Sequence, residues 1–152
     1  MKYIIKKEAA TQYELKSTSL LAELDKFIGR IIGIPFSIRI SNCTSDDELM
    51  LKRKFSFAFP KYEVSNNGEY IASINTQRAM TIPKVTVNSI YGDFVVETNA
   101  KADYFDILKG RTTVASVKRG QSSLSDQYEI TNYDNTDTDF LVAIICSLDN
   151  IF

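Results

Sequence analysis

The sequence predicts a mainly-β domain: about eleven antiparallel strands closed into a barrel around a hydrophobic C-terminal helix, with one short amphipathic helix near the N-terminus. Three observations lead there. Short β-branched and aromatic runs, punctuated by turn residues, recur along most of the 152 residues. Two stretches repeat one hairpin pattern: "YEVSNNGEYIASI" (Tyr62–Ile74) and "FDILKGRTTVASV" (Phe105–Val117) share an aromatic–acid–aliphatic start, a glycine turn and an Ala-Ser-aliphatic end. The chain closes on "FLVAIICSLDNIF" (Phe140–Phe152), apolar on every side of a helical wheel.

Taken in order, strands are expected at 3–7, 12–16, 36–40, 49–57, 62–65, 70–74, 84–88, 93–97, 104–108, 112–118 and 127–132. "SNNGE" (Ser65–Glu69) is the strongest hairpin signal, because Asn-Gly accepts the positive φ values of a tight turn. "LKGR" (Leu108–Arg111) is a second, and "FSIRI" with "LMLKRKF" is a looser copy around a longer turn. A lone hairpin is barely stable in water, so these units must share a core. In "SLLAELDKFIGRIIG", by contrast, Leu20, Leu21, Leu24, Phe27, Ile28, Ile31 and Ile32 follow helical spacing, with Ser19 as a cap and Gly33 and Pro35 as a stop. This predicts an amphipathic helix that packs one face on the barrel or closes its end.

For the C-terminal segment, Thr136 or Asp137 supplies a cap, so a helix begins near Thr138. Thirteen residues at about 1.5 Å each reach about 20 Å, short of the ~30 Å hydrocarbon core of a bilayer. Asp149 and Asn150 oppose insertion further. Burying one Leu or Ile contributes about 1.5–3 kcal/mol, so leaving all of them wet exceeds a domain's net stability. An eight-stranded barrel holds only its own side chains, whereas an eleven-stranded can has room for a helix. A sandwich with the helix on one flank is the alternative, and it leaves half the helix in water.

Length and composition bound the function. The chain reads as one domain, 1–152, with 44% hydrophobic and 24% charged residues and a net charge of −1. That balance exerts no global pull on nucleic acid. The N-terminus has no signal-peptide pattern, and no apolar run reaches transmembrane length. Cys43 and Cys146 lie far apart and read as reduced thiols, which places the protein in the cytoplasm, with peripheral membrane attachment as a variant. There is no histidine, which excludes Ser-His-Asp and Cys-His catalysis and removes the commonest metal ligand. Catalytic residues, metal and cofactor are each expected to be none.

The candidate ligand-binding residues are basic. "LKRKF" is the densest cluster: with Leu49, Leu51, Phe55 and Phe57 inward, Lys52 and Lys54 point outward and Arg53 shares the inward face near the barrel end. Lys61 follows shortly. Three such cations contribute about 3 kcal/mol toward an anionic membrane, less than millimolar binding requires. The competing reading is a solvated strand face that resists edge pairing. "VKRGQSS" (Val117–Ser123) sets Lys118 and Arg119 beside a glycine turn whose amides offer an anion nest, against an ordinary polar loop. Asp149 reads as a polar helix end at the barrel mouth or as a buried carboxylate paired with Arg53. "TSDDE" (Thr44–Glu48) gathers acids on a turn but lacks the further ligands of a Ca²⁺ or Mg²⁺ site.

The ordered set "KRKFSFAFPKYEV", "NGEYIASI", "YGDFVVE", "YFDILKGRTTVASVKR", "DQYEI" and "DFLVAIICSLDNIF" resembles the LURP-one-related proteins of the tubby C-terminal-like superfamily, over Phe36 to Phe152. The resemblance implies a twelve-stranded barrel around the hydrophobic helix, making the expected count eleven or twelve. It also implies strands and a hairpin where 20–32 read as helix, and both readings stand. Tubby proteins bind phosphoinositides through basic barrel-surface residues. The expected function is therefore a non-enzymatic binding module for an anionic phospholipid or a protein partner. The alternative is an intracellular interaction protein, such as an immunity-like inhibitor that neutralises a toxin.

Overall fold

Alternation of apolar and polar residues dictates most of the chain. In the computed structural model, the described residues are 2–9, 12–17, 27–31, 37–42, 47–54, 59–77, 82–121 and 126–152. They form β1 (Lys2–Ala9), β2 (Gln12–Ser17), β3 (Phe27–Ile31), β4 (Ser37–Asn42), β5 (Glu48–Lys54), β6 (Lys61–Asn66), β7 (Glu69–Gln77), β8 (Lys84–Ser89), β9 (Gly92–Thr98), β10 (Tyr104–Lys109), β11 (Thr112–Gln121) and β12 (Asp126–Asn132). One helix follows, α1 (Thr138–Ile151). Consecutive strands pair antiparallel, and β1 pairs with both β2 and β12, so the hydrogen-bonded order returns to its start.

The helix expected over Leu20–Ile32 is corrected. Phe27–Ile31 is the strand β3, laddered to β2 through Tyr13–Gly29 and to β4 through Gly29–Ile40. Residues 18–26 and Ile32 lie outside the described residues. The physical reason is that Phe27, Gly29 and Ile31 share one face of a strand as readily as Phe27, Ile28 and Ile31 share one side of a helix. Pairing on both edges decides between the two periods.

The enclosure of the C-terminal helix needs a second correction. Among residues whose side chains are described, the core comes from nine antiparallel strands, β4–β12, and α1, not from an even wall of eleven or twelve. Inward residues alternate, as in Ile38 and Ile40, Tyr62 and Val64, and Val85 and Val87. Against them pack Phe140 to Cys146 and Leu148, each at most 2% exposed. Ser147, also buried, returns its hydroxyl proton to the Ile144 carbonyl at 2.6 Å, which is how a polar side chain survives inside a helix core. Asp137 caps the helix by accepting the Phe140 amide at 3.0 Å.

Two tight turns use the glycines as expected. Asn67 (φ 49°) and Gly68 (φ 88°) join β6 to β7, and Gly110 (φ 63°) helps join β10 to β11.

Candidate functional site

Strand register sorts charge between the two ends of α1. Phe140 in the first turn of α1 packs on Tyr91 in the turn between β8 and β9, and the antiparallel register puts the start of β5 at that same end. Its far end, with Lys54 opposite Lys61, therefore lies at the helix C-terminus. Arg119 of β11 reaches Asp149 in the last turn of α1, which places Lys118 and Arg119 at that same end. Six of the predicted basic residues thus share one end of the molecule: Lys52, Arg53, Lys54, Lys61, Lys118 and Arg119. They do not form one patch, because β5 and β11 stand six places apart in the twelve-strand order, on opposite walls.

On the β5–β6 wall, Lys52, Lys54 and Lys61 are exposed beside the half-buried Glu63. Lys54 is paired with Glu63 at 3.1 Å. Lys52 stands directly across from Glu63, and Lys61 from Lys54. Arg53 continues the inward face of Leu49 and Leu51, but it is exposed because the strand ends there. Opposite it sits Tyr62, fully buried, with a hydroxyl that has no hydrogen-bond partner among the described residues. Burial pushes the Tyr62 phenol above its ordinary pKa, and the Arg53 charge pulls the other way.

Arg119 occupies a different setting. Its guanidinium is 3.8 Å from Asp149, whose side chain is 0% exposed against 19% for Arg119. The Tyr128 hydroxyl donates to Asp149, and Arg119 lies 5.7 Å from the Tyr128 ring centre. Asp149 is therefore matched by Arg119, not by Arg53 as one sequence reading had it. The anion nest at "VKRGQSS" does not form over its described part. Residues through Gln121 continue β11, Gly120 pairs with Gln127, and the Arg119 amide donates to the Asp103 backbone carbonyl at 2.8 Å. Ser122 and Ser123 lie outside the described residues. Of "TSDDE", Glu48 begins β5 and pairs with Arg39 at 3.1 Å. Among the described residues no group of three or more acids, Cys or His is placed to hold a metal ion.

The opposite end carries a feature that sequence reasoning missed. A cleft of about 410 Å³ is lined by Tyr91, Phe94, Lys109 and the segment Asp134–Asp137. Its floor is aromatic: Phe140 of α1 packs on Tyr91 at 5.0 Å and on Phe94 at 5.8 Å between ring centres. Lys109 lies across Gly92, where an added Cβ would come within 2.8 Å of its Cε. Its ammonium donates to the Tyr91 carbonyl at 2.8 Å and sits 5.8 Å from the Phe94 ring centre. Buried Asn132 fixes the other wall, donating to the Thr136 carbonyl at 2.7 Å and accepting the Asp134 amide at 3.3 Å. Burial raises the Tyr91 phenol, and the three acids Asp137, Asp47 and Asp139 raise it further. The one sequence signal was the acid-rich run before the capped helix; its partners at 91, 94 and 109 are remote in sequence.

Comparison with known proteins adds one match. No curated protein and no solved structure matches the chain. The family model for LURP-one-related proteins matches residues 35–149, covering the paired strands from β4 onward and nearly all of the buried helix. The chain belongs to the LURP-one-related family.

Proposed function

We propose that the protein is a non-enzymatic binding module whose basic end docks on an anionic phospholipid surface. The observation that carries this reading is the gathering of uncompensated cations at the end of the sheet where α1 terminates. Lys52, Arg53 and Lys61 are exposed there without an ion-pair partner among the described residues, and so are Lys84, Lys101 and Lys118 on other strands and loops.

Magnitude decides the mode of approach. At about 1 kcal/mol each, the three cations of the β5–β6 wall give about 3 kcal/mol, below the roughly 4 kcal/mol of a millimolar complex. End-on contact brings both walls to one plane and engages up to six cations, offset by Glu97 and Asp103 nearby. The net is about four charges and about 4 kcal/mol, so binding is weak, end-on and salt-sensitive. Lys54 and Arg119 contribute less, because Glu63 and Asp149 already face them.

Co-sedimentation with vesicles tests the reading. Anionic vesicles are expected to pellet the protein at low salt, neutral ones are not, and the Lys52→Glu/Lys61→Glu/Lys118→Glu variant is expected to behave as if all vesicles were neutral. Equal pelleting by both vesicle types, or no effect of the triple variant, rejects it.

A further inference from the structure

We propose that the cleft between Tyr91, Lys109 and Asp134–Asp137 is a docking site for a lysine or arginine side chain of a basic partner protein. This site lies at the opposite end from the cationic one and is independent of the lipid reading.

The first argument is chemical. The cleft already holds an ammonium group. The Lys109 Nζ finds a carbonyl acceptor on Tyr91 at 2.8 Å and the face of Phe94 at 5.8 Å. A carbonyl acceptor and an aromatic face are both contacts that hold an organic cation. At about 410 Å³ the cleft has room for more than the Lys109 tip.

The second argument is charge. Of the charged residues that line the cleft, Asp134 and Asp137 are acids against the one ammonium of Lys109, with exposed Arg111 on the adjoining turn and Asp47 and Asp139 near enough to act on Tyr91. The helix N-terminus contributes a partial positive charge of about half a unit, which Asp137 as cap and Asp139 in the first turn offset. Asp134 lines the cleft and Asp93 is exposed next to Gly92; neither has an ion-pair partner among the described residues.

The third argument is the surround. Of the exposed large apolar side chains Tyr70, Ile90, Tyr91, Tyr104 and Tyr133, all but Tyr104 belong to this end. Ile90 and Tyr133 adjoin cleft residues, and the Ile90 amide ties its turn to Ile71 at 2.9 Å. Exposed tyrosines around a small pocket are the composition of a protein-binding centre. The acids select a basic occupant by complementarity.

Amide NMR titration with the peptide acetyl-Gly-Arg-Gly-Lys-Gly-Arg-amide tests the proposal on the full chain. Saturable shifts are expected at Tyr91, Phe94, Lys109 and Asp134–Asp137, with at least threefold weaker binding for Asp134→Asn. Lys109→Met removes the resident ammonium and is expected to tighten peptide binding severalfold. Three results overturn the proposal: weaker binding by Lys109→Met, the same shifts with an all-glutamate peptide or inorganic phosphate, or shifts in the free protein that track its own concentration, which would mark a second copy as the occupant.

Discussion

Asp149 is the residue on which the interior is most exposed to a single change. Its carboxylate is shielded from water, the Tyr128 hydroxyl donates to it, and Arg119 lies at 3.8 Å. Removing the carboxylate takes a charged partner from Arg119 and the acceptor from the Tyr128 hydroxyl. Asp149→Ala is therefore expected to lower unfolding free energy by about 3–5 kcal/mol in urea titration, and Tyr128→Phe by about 1–3 kcal/mol. Tyr62 predicts the reverse. Its buried hydroxyl has no partner among the described residues, so Tyr62→Phe removes an unmet desolvation penalty and should leave stability unchanged or raise it by about 1 kcal/mol. The alkaline limb carries a second sign. Burial holds the folded Tyr62 phenol above the ordinary tyrosine value of about 10, so its contribution is fully present below that value and is lost as pH rises through the higher folded value. Tyr62→Phe should flatten the fall in stability above about pH 10. Sequence placed Lys52 and Lys54 on the outer face through the alternation Leu49–Leu51. It did not resolve which arginine meets Asp149, because that pairing joins β11 to α1 across the interior, and no local spacing encodes such a contact.

At the scale of elements, turn chemistry and capping were legible and the N-terminal period was not. Asn67-Gly68 and Gly110 adopt the positive φ values that their sequence demanded. Of the two caps the sequence offered, Thr136 and Asp137, Asp137 is the one that caps α1. Asp137→Ala should cost about 1 kcal/mol by urea titration, the usual value of a lost cap, and the part owed to its charge at the helix start should shrink with added salt while the hydrogen-bond part stays. Gly110→Ala at φ 63° should cost about 1–2 kcal/mol, since an L-residue there meets the left-handed penalty. The stretch around Phe27–Ile31 carried two compatible periods. The choice between them rests on the Gly29 ladder partners Tyr13 and Ile40, which lie elsewhere in the chain. The cleft was hidden for the same reason: Tyr91, Lys109 and Asp134 come together only through the order β8–β9–β10 and the turn leading into α1.

Across the whole molecule, one apolar helix organises both ends. Phe140 seats the N-terminal end on Tyr91 and Phe94, and Phe152 seats the other on Phe105 at 5.6 Å between ring centres. With its axis fixed, the antiparallel register carries Tyr91, Asp134 and Asp137 to one pole and Lys52, Lys61 and Lys118 to the other. The two binding readings therefore both depend on α1 lying dry against β4–β12. Cys146, fully buried near the middle of that helix, reports on this directly once Cys43 is replaced by serine. In native buffer, a chromogenic aromatic disulfide should react with Cys146 at least ~10³-fold more slowly than in denaturant, at a rate that tracks global unfolding. A native thiol that reacts within about tenfold of the denatured rate, with the fold intact by circular dichroism, would contradict the account.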